Sequence, residues 1–385
     1  MKLANWFRTA APEAKSAAPL IALALGGRAS WGARNYASLA REGVMRNAIA
    51  YRCVRMIAEA ASSLPFLLYD GATEIESHPL LSLLARPNAD EDGMALFERW
   101  HAFLQCAGNA YLEALTIGGE VRELHVLRPD RVRAVAGARG RAIAYTYTVD
   151  GDMTTIPAAN LLHAKLFHPL DDAYGFSPIE AASRAIDIHN AGGDWTKALL
   201  DNSARPSGAL VYKGPDGQPN LTDDQFARLK RELEDAYQGS GNAGRPMVLE
   251  GGLDWKAMSY APADLDFAAG RDAAAREIAL AFGVPPMLLG IPGDNTYSNY
   301  REANLSFWRQ TVLPLAARTA SQLTRFLGAR FGEGLRLAVD ADAVDALALE
   351  RESVWARLGS AGFLTLNEKR QAAGYSPVEG GDVLG

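Results

Sequence analysis

Residues 283–303 read Gly-Val-Pro-Pro-Met-Leu-Leu-Gly-Ile-Pro-Gly-Asp-Asn-Thr-Tyr-Ser-Asn-Tyr-Arg-Glu-Ala. Gly283 stands where a helix end calls for a left-handed residue, and Pro285-Pro286 cannot continue a helix. The segment before it, Leu265–Phe282, carries alanine at 268, 269, 273, 274, 275, 279 and 281, which predicts a slim helix that neighbours approach closely. After it, Gly290–Asn299 is polar and glycine-bearing and reads as a loop, with Ser298 or Asn299 able to cap the next element. That element is a long helix over about Asn299–Phe331. Pro314 lies in its middle, where it removes a hydrogen bond and predicts a kink.

Working outward, Ser177-Pro178-Ile179-Glu180 is a helix start, with Ser as cap, Pro at the first position and Glu three residues on. The helix is expected to reach Ala204 before Arg205-Pro206, with Gly192-Gly193 as a place to bend. Between it and Leu265 lies a compact inserted unit. Its parts are strand Gly208–Lys213, helix Thr222–Gln238 with a capping box (Thr222, Gln225), and strands Met247–Glu250 and Leu253–Met258.

Further out, Asn47–Ser62 has Ala50, Val54, Ile57 and Ala61 at helical spacing. Leu64–Tyr69 reads as a strand, His78–Leu84 as a short helix and Gly93–Cys106 as a longer one. From Ala110 the period changes to that of strands: Ala110–Ile117, Glu123–Leu127, Val132–Ala136, Ile143–Val149 and Leu161–Leu166, separated by turn formers. Strand Leu335–Val339 and helices Val344–Gly359 and Leu366–Ala373 end the chain. The fold class is therefore α+β, helices with a small antiparallel-looking sheet.

Composition bounds the function. The 385 residues are 48% hydrophobic and 22% charged, which excludes a disordered, collagenous or disulfide-scaffold chain. No apolar run approaches the ~18 residues of a membrane span. A net charge of −6 argues against a basic coat for nucleic acid. Cys53 and Cys106, the only cysteines, read as buried and reduced, and no cluster has metal-ligand spacing, so neither metal nor cofactor is expected. Residues 1–34 hold Lys2, Arg8, Lys15, Arg28 and Arg34 against Glu13 alone. This is read as a flexible or partner-docking basic arm in preference to a secretory signal, since Glu13 breaks the basic part and no cleavage site comes after the run 17–25.

Catalytic patterns are missing. There is no Walker sequence and no G-x-S-x-G elbow. Residues 239–244, Gly-Ser-Gly-Asn-Ala-Gly, fit G-x-G-x-x-G. That motif works when a strand leads into it and a helix leaves it, and here the order is reversed. A nucleotide-binding enzyme is the weaker alternative, and a secreted or envelope protein another.

The stretch 283–303, with Phe307-Trp308 and Leu313-Pro314 after it, resembles the portal proteins of HK97-type tailed phages. The likeness extends in order to His78-Pro79-Leu80-Leu81, Arg86-Pro87-Asn88, Gly108-Asn109-Ala110-Tyr111, Tyr174-Gly175-Phe176-Ser177-Pro178-Ile179 and Gly362-Phe363-Leu364-Thr365-Leu366-Asn367-Glu368. Together these blocks span about Arg46 to Asp382. The short chain, rich in alanine and arginine, is similar to the compact portals of gene transfer agents.

The resemblance implies a non-enzymatic, usually dodecameric ring at one capsid vertex, whose channel passes double-stranded DNA inward and outward. Its partners would be the terminase large subunit, the head–tail adaptor and the major capsid protein, in a virion or phage-like particle assembled in the bacterial cytoplasm without a membrane. Carried onto this chain, residues 1–45 would be the arm and 46–176 the wing, helices plus a small mixed sheet. Residues 177–204 and 263–283 would be stem helices and 205–262 an α/β clip. Residues 284–299 would be the tunnel-loop region, 300–340 the long kinked helix with a strand returning to the wing, and 341–385 a short crown. The loop would offer Asn295, Thr296, Tyr297, Ser298 and Asn299, uncharged hydrogen-bonding groups suited to transient phosphate contact. The clip would offer Lys213, Arg228, Lys230, Arg231 and Arg245 to its partners, and Pro314 would turn the long helix from channel wall to crown.

Overall fold

A computed structural model describes residues 36–137, 142–201, 208–212, 253–257, 267–293 and 297–384, with single positions in 222–231. The chain divides into two compact units, one made of residues 31–191 and 268–385 and the other containing 192–267.

The larger unit opens with helical turns α1 (Tyr36–Leu39) and a π-helical turn over Ala40–Met45. Part of the segment read as an arm, Tyr36–Met45, is thus helical. Helix α2 (Ala48–Ser62) comes next, with the Asn47 side chain accepting from the amides of Ile49 and Ala50. Its buried residues Ala50, Cys53, Val54, Ile57, Ala58 and Ala61 lie at the i, i+3, i+4 spacing that makes one apolar face. Strands β1 (Phe66–Asp70) and β2 (Thr73–Ile75) precede helices α3 (Pro79–Ala85) and α4 (Gly93–Ala107). α4 ends on Gly108 at φ 68°, the left-handed cap that releases the chain into a strand.

Strands β3 (Asn109–Ile117), β4 (Glu120–Leu127), β5 (Val132–Ala136), β6 (Ala142–Val149), β7 (Asp152–Pro157) and β8 (Leu161–Lys165) succeed it. They do not form the one small mixed sheet expected. β4-β3-β8 and β5-β6-β7 are separate three-stranded sheets, and every pairing in them is antiparallel. Two-residue turns, Gly118-Gly119 and Asp150-Gly151, join β3 to β4 and β6 to β7, and antiparallel hairpins need nothing longer.

The helix expected over 177–204 is broken near its start. Ser177 caps α5 (Pro178–Ala181), the ladder is interrupted at Ala182, and α6 (Ser183–Asp201) runs on through Gly192-Gly193 without interruption. In the smaller unit, strands β9 (Gly208–Tyr212) and β10 (Leu253–Ala257) pair antiparallel, in line with the strands expected of the inserted unit. Strand Met247–Glu250 and the motif at 239–244 lie outside the described residues.

Helix α7 (Phe267–Phe282) ends on Gly283 at φ 66°. A 3-10 turn over Pro286–Leu289 leads toward helix α8 (Tyr297–Phe307). The long helix is not kinked at Pro314 alone: a π-helical turn, Trp308–Val312, separates α8 from α9 (Leu313–Phe331). The Leu313 amide donates to the Trp308 carbonyl, one residue further back than in an α-helix. Pro314 follows the π turn directly in a continuous helix, and the carbonyl its ring crowds, four residues back at Gln310, belongs to that turn. Strand β11 (Leu335–Val339) returns to pair with β1, Leu68 opposite Leu337. Helices α10 (Ala348–Gly359) and α11 (Leu366–Ala372) finish the fold, the latter with a Thr365–Glu368 capping box.

Among the described residues, two of the hydrophobic clusters are the largest in the larger unit. One packs α2 against α5, α6, α7 and the π turn through Ile57, Ile179, Ile186, Ile278, Phe282, Phe307 and Val312. The other gathers Leu68, Leu80, Leu96, Trp100, Leu112 and Leu124 with Leu323 and Leu327 of α9. Trp100 is fully buried and its indole N–H donates to Thr319 Oγ1 at 3.4 Å, so α9 completes the core built on β1, α3, α4 and β3. Each of these side chains contributes ~1.5–3 kcal/mol by leaving water.

Candidate functional site

The loop between α7 and α8 is tied at its base by backbone-directed bonds. Thr311, on the π turn, donates its hydroxyl to the Gly283 carbonyl at 2.6 Å, and a Cβ on Gly283 would stand 2.9 Å from the same hydroxyl. The extra residue of the π turn brings Thr311 to that carbonyl. Arg276, on α7, donates to the Pro292 carbonyl. Val284 and Ile291 are buried, Ile291 against Ala275 and Ala279 of the alanine-rich helix. The small side chains of α7 thus let the loop lie close on it.

Of the loop residues singled out from the sequence, Asn295 and Thr296 lie outside the described residues. Tyr297, Ser298 and Asn299 are not loop residues: they form the first turn of α8, because the helix starts three residues earlier than capping by Asn299 would put it. Ser298 and Asn299 are exposed, as are Tyr300, Arg301 and Glu302, so the start of α8 presents its whole circumference to solvent in the protomer. Arg301 and Glu302 pair at 3.7 Å, an exposed contact worth little stability. Among the clip residues, Arg228 and Arg231 are exposed on helical positions, and Arg231 Nε donates to the Ala227 carbonyl at 3.3 Å. Lys213, Lys230 and Arg245 lie outside the described residues.

Two sequence blocks far apart in the chain meet. The Gly108 carbonyl accepts from the Leu166 amide at 2.8 Å, and a Cβ on Gly175 would stand 2.0 Å from that carbonyl. Asn109 completes the junction: its Oδ1 accepts from the Gly175 amide at 2.8 Å, and its Nδ2 donates to the carbonyls of Ala107 at 2.7 Å and Gly175 at 3.3 Å. The same Oδ1 lies 2.9 Å from His163 Nε2, and His163 Nδ1 lies 3.4 Å from the Tyr145 hydroxyl. These contacts select the tautomer with the proton on Nε2, donating to Asn109. Burial, with Lys165 adding to it, lowers the His163 pKa to about 4, so the ring is neutral near pH 7. Cys53 and Cys106 are buried free thiols, pushed up to about 12 by burial, and therefore unreactive. Among the described residues no group of three or more His, Cys, Asp or Glu could hold a metal ion, and no helix is long and apolar enough to cross a membrane.

The chain matches the sequence profile of the family described as phage portal protein over residues 48–374. It belongs to that family. It is 26% identical to the portal protein of Enterobacteria phage HK97 over 362 residues, covering 90% of this chain and 82% of the phage protein. An uncharacterised protein of Rickettsia bellii is 41% identical over 346 residues, covering 88% of this chain and 89% of that one. Among solved structures, a chain from the neck of an empty gene transfer agent particle superposes with a TM-score of 0.71 at 50% identity, covering 91% of this chain and 96% of that one. An HK97-family portal protein from Corynebacterium diphtheriae shares the fold at a TM-score of 0.60 and 15% identity, with 82% and 97% of the two chains covered. These likenesses bear out the α+β portal fold and the likeness to gene transfer agents read from the sequence. The sequence blocks marked the family, but Thr311, Arg276 and His163 carried no signal of their own. Each acts through a partner more than a dozen residues away.

Proposed function

We propose that this chain assembles into a ring of twelve copies at one vertex of a phage-like capsid and serves, without catalysis, as the channel for double-stranded DNA. The observation that carries the reading is the match at half identity, over nine-tenths of the chain, to a chain of a gene transfer agent neck; a related chain at 49% identity comes from a neck computed with C12 symmetry. The loop held by Thr311 and Arg276 is the tunnel loop, and the exposed start of α8 carries Ser298 and Asn299 toward the bore. Uncharged donors make brief contacts with phosphate oxygens, and a protomer of net −6 does not neutralise enough phosphate to grip the duplex. The clip, with Arg228 and Arg231, receives the terminase large subunit during packaging and the head–tail adaptor afterwards. The major capsid protein surrounds the ring, and assembly takes place in the bacterial cytoplasm.

Native mass spectrometry of the purified chain tests the assembly, with a closed dodecamer expected. A monomer that forms no ring at any concentration or salt overturns it. Deleting residues 294–296 tests the loop: rings form normally, and particles made with the variant hold less DNA. If the rings themselves fail to form, the loop belongs to assembly.

A further inference from the structure

Beside the Gly108–Gly175 junction lies a cleft of about 150 Å³, walled by Tyr36, Tyr111 and Tyr174 and lined also by Asn109, Ser177 and Glu180. It is smaller than the ~300–1,000 Å³ of a site for a nucleotide or other cofactor, and of the size of one long side chain. Most of its polar groups are engaged. The Asn109 amide makes the bonds described above, the Tyr174 hydroxyl accepts from the Ala134 amide at 3.1 Å, and Ser177 Oγ accepts from the Glu180 amide at 3.0 Å. Two groups are not. Tyr111 is 1% exposed as a residue, but its hydroxyl is not among the buried unpartnered atoms and makes no hydrogen bond among the described residues, so it faces the cleft that Tyr111 lines. The Glu180 carboxylate, which also lines the cleft, makes no ion pair or hydrogen bond among the described residues. Both oxygens are therefore open to a donor that enters the cleft. The nearby cation, Arg128, is committed to Asp130 in a bidentate pair at 3.1 and 2.7 Å.

A carboxylate, a phenolic oxygen and aromatic walls make a receptor for a cation with several N–H donors. We propose that this cleft binds one basic side chain of the chain's own N-terminal arm, with Arg34 the first candidate. The arm carries five basic residues against one acidic residue, and it runs directly into Tyr36, a wall of the cleft. Arg34 is two residues from Tyr36, at most ~7 Å along an extended backbone, and its side chain reaches further. So short a tether supplies an effective concentration on the order of millimolar or more, enough for a contact too weak to hold a free ligand. The bound arm would be pinned over the junction of the sheet β4-β3-β8 with α5.

Trypsin cleavage of the folded full-length chain tests this, with mass spectrometry of the products and the melting temperature measured alongside. Glu180→Gln is expected to speed cleavage after Arg34 about tenfold, the factor that corresponds to losing one charge-assisted contact. Arg34→Gln, which leaves the cleft intact, speeds cleavage after Arg28 in the same way. Tyr111→Phe separates an occupied cleft from an empty one: with the arm bound it accelerates cleavage, and with the cleft empty it changes nothing. Rates within twofold of the parent for Glu180→Gln and Arg34→Gln overturn the proposal. A Glu180→Cys, Arg34→Cys pair on a non-reducing gel identifies the occupant. An intrachain disulfide supports the proposal, and a disulfide to a second chain replaces it with a contact between copies.

Discussion

Single atoms decide the junction between Gly108 and Gly175. Gly108 adopts φ 68°, and a Cβ at Gly175 would collide with a carbonyl that is itself bonded to the Leu166 amide. Gly175→Ala is therefore expected to destabilise the protein by ~3 kcal/mol or more, because backbone cannot yield as a side-chain tip does. A urea melt of the variant measures it. The opposite sign is expected at Gly193, inside α6 with nothing within 4 Å of a new Cβ. Gly193→Ala should stabilise by ~0.5–1 kcal/mol through helix propensity and a less flexible unfolded chain. Titration supplies a further test. Burial lowers His101 to about 3 and, with Lys165, His163 to about 4, so both rings stay neutral in the fold while the unfolded chain protonates them near 6.5. Their contribution is complete above pH 6.5 and is lost as pH falls from there toward 4, each ring adding up to ~1.4 kcal/mol per pH unit to the slope. Urea melts at pH 7, 6 and 5 show the decline, and His101→Phe reduces its steepness.

Elements with a strong period were legible, and those shaped by distant partners were not. Helices α2, α4 and α7 were legible within a few residues: α2 through its apolar spacing, α4 through its stop at Gly108-Asn109, and α7 through its alanines and Gly283. Strand β7 was missed because Asp-Met-Thr-Thr-Ile-Pro is an edge strand, and only Ile156 in it is buried. The break at Ala182 left no local mark, since it is set by the packing on both of its sides. Pro314 drew the reading toward a kink, and the departure from α geometry, Trp308–Val312, contains Gln310, the residue whose carbonyl the proline ring crowds. Pro314→Ala is expected to change stability by less than ~1 kcal/mol, because the π turn ahead of it already accommodates the missing N–H. A loss above ~3 kcal/mol would mean that the proline holds the π turn open. Thr311→Val, by contrast, removes the bond to Gly283 and leaves its carbonyl without that donor. It is expected to cost ~1–2 kcal/mol and to loosen the loop base, measurable as faster amide exchange at 284–291.

At the scale of the whole protomer, the C-terminal segment is anchored to the main core through Val344, and beyond it the last two helices bury no apolar side chain fully. Helix α10 has no buried residue, and Asn367 is the sole buried residue of α11. Polar contacts fix the segment instead. Asn367 Oδ1 accepts from the Val378 amide at 2.8 Å, its Nδ2 donates to the Val378 carbonyl at 3.0 Å and to Asp382 Oδ1 at 2.8 Å, and its backbone amide donates to the Gly381 carbonyl at 2.8 Å. Asp342 accepts from the Tyr375 hydroxyl and pairs with Arg351 at 3.6 Å. Trp355 and Phe363 remain 45% and 79% exposed. Trp355 lies under Arg351 and beside Tyr375 within the protomer, whereas Phe363 is left almost wholly in water, so its burial comes on assembly. Phe363→Ala is therefore expected to leave the melting of the isolated protomer within ~0.5 kcal/mol of the parent, as for surface substitutions generally. The same substitution should raise the protein concentration at which rings form, read by mass photometry across a dilution series. Unchanged assembly with a lowered melting temperature would return the side chain to the fold of the single chain.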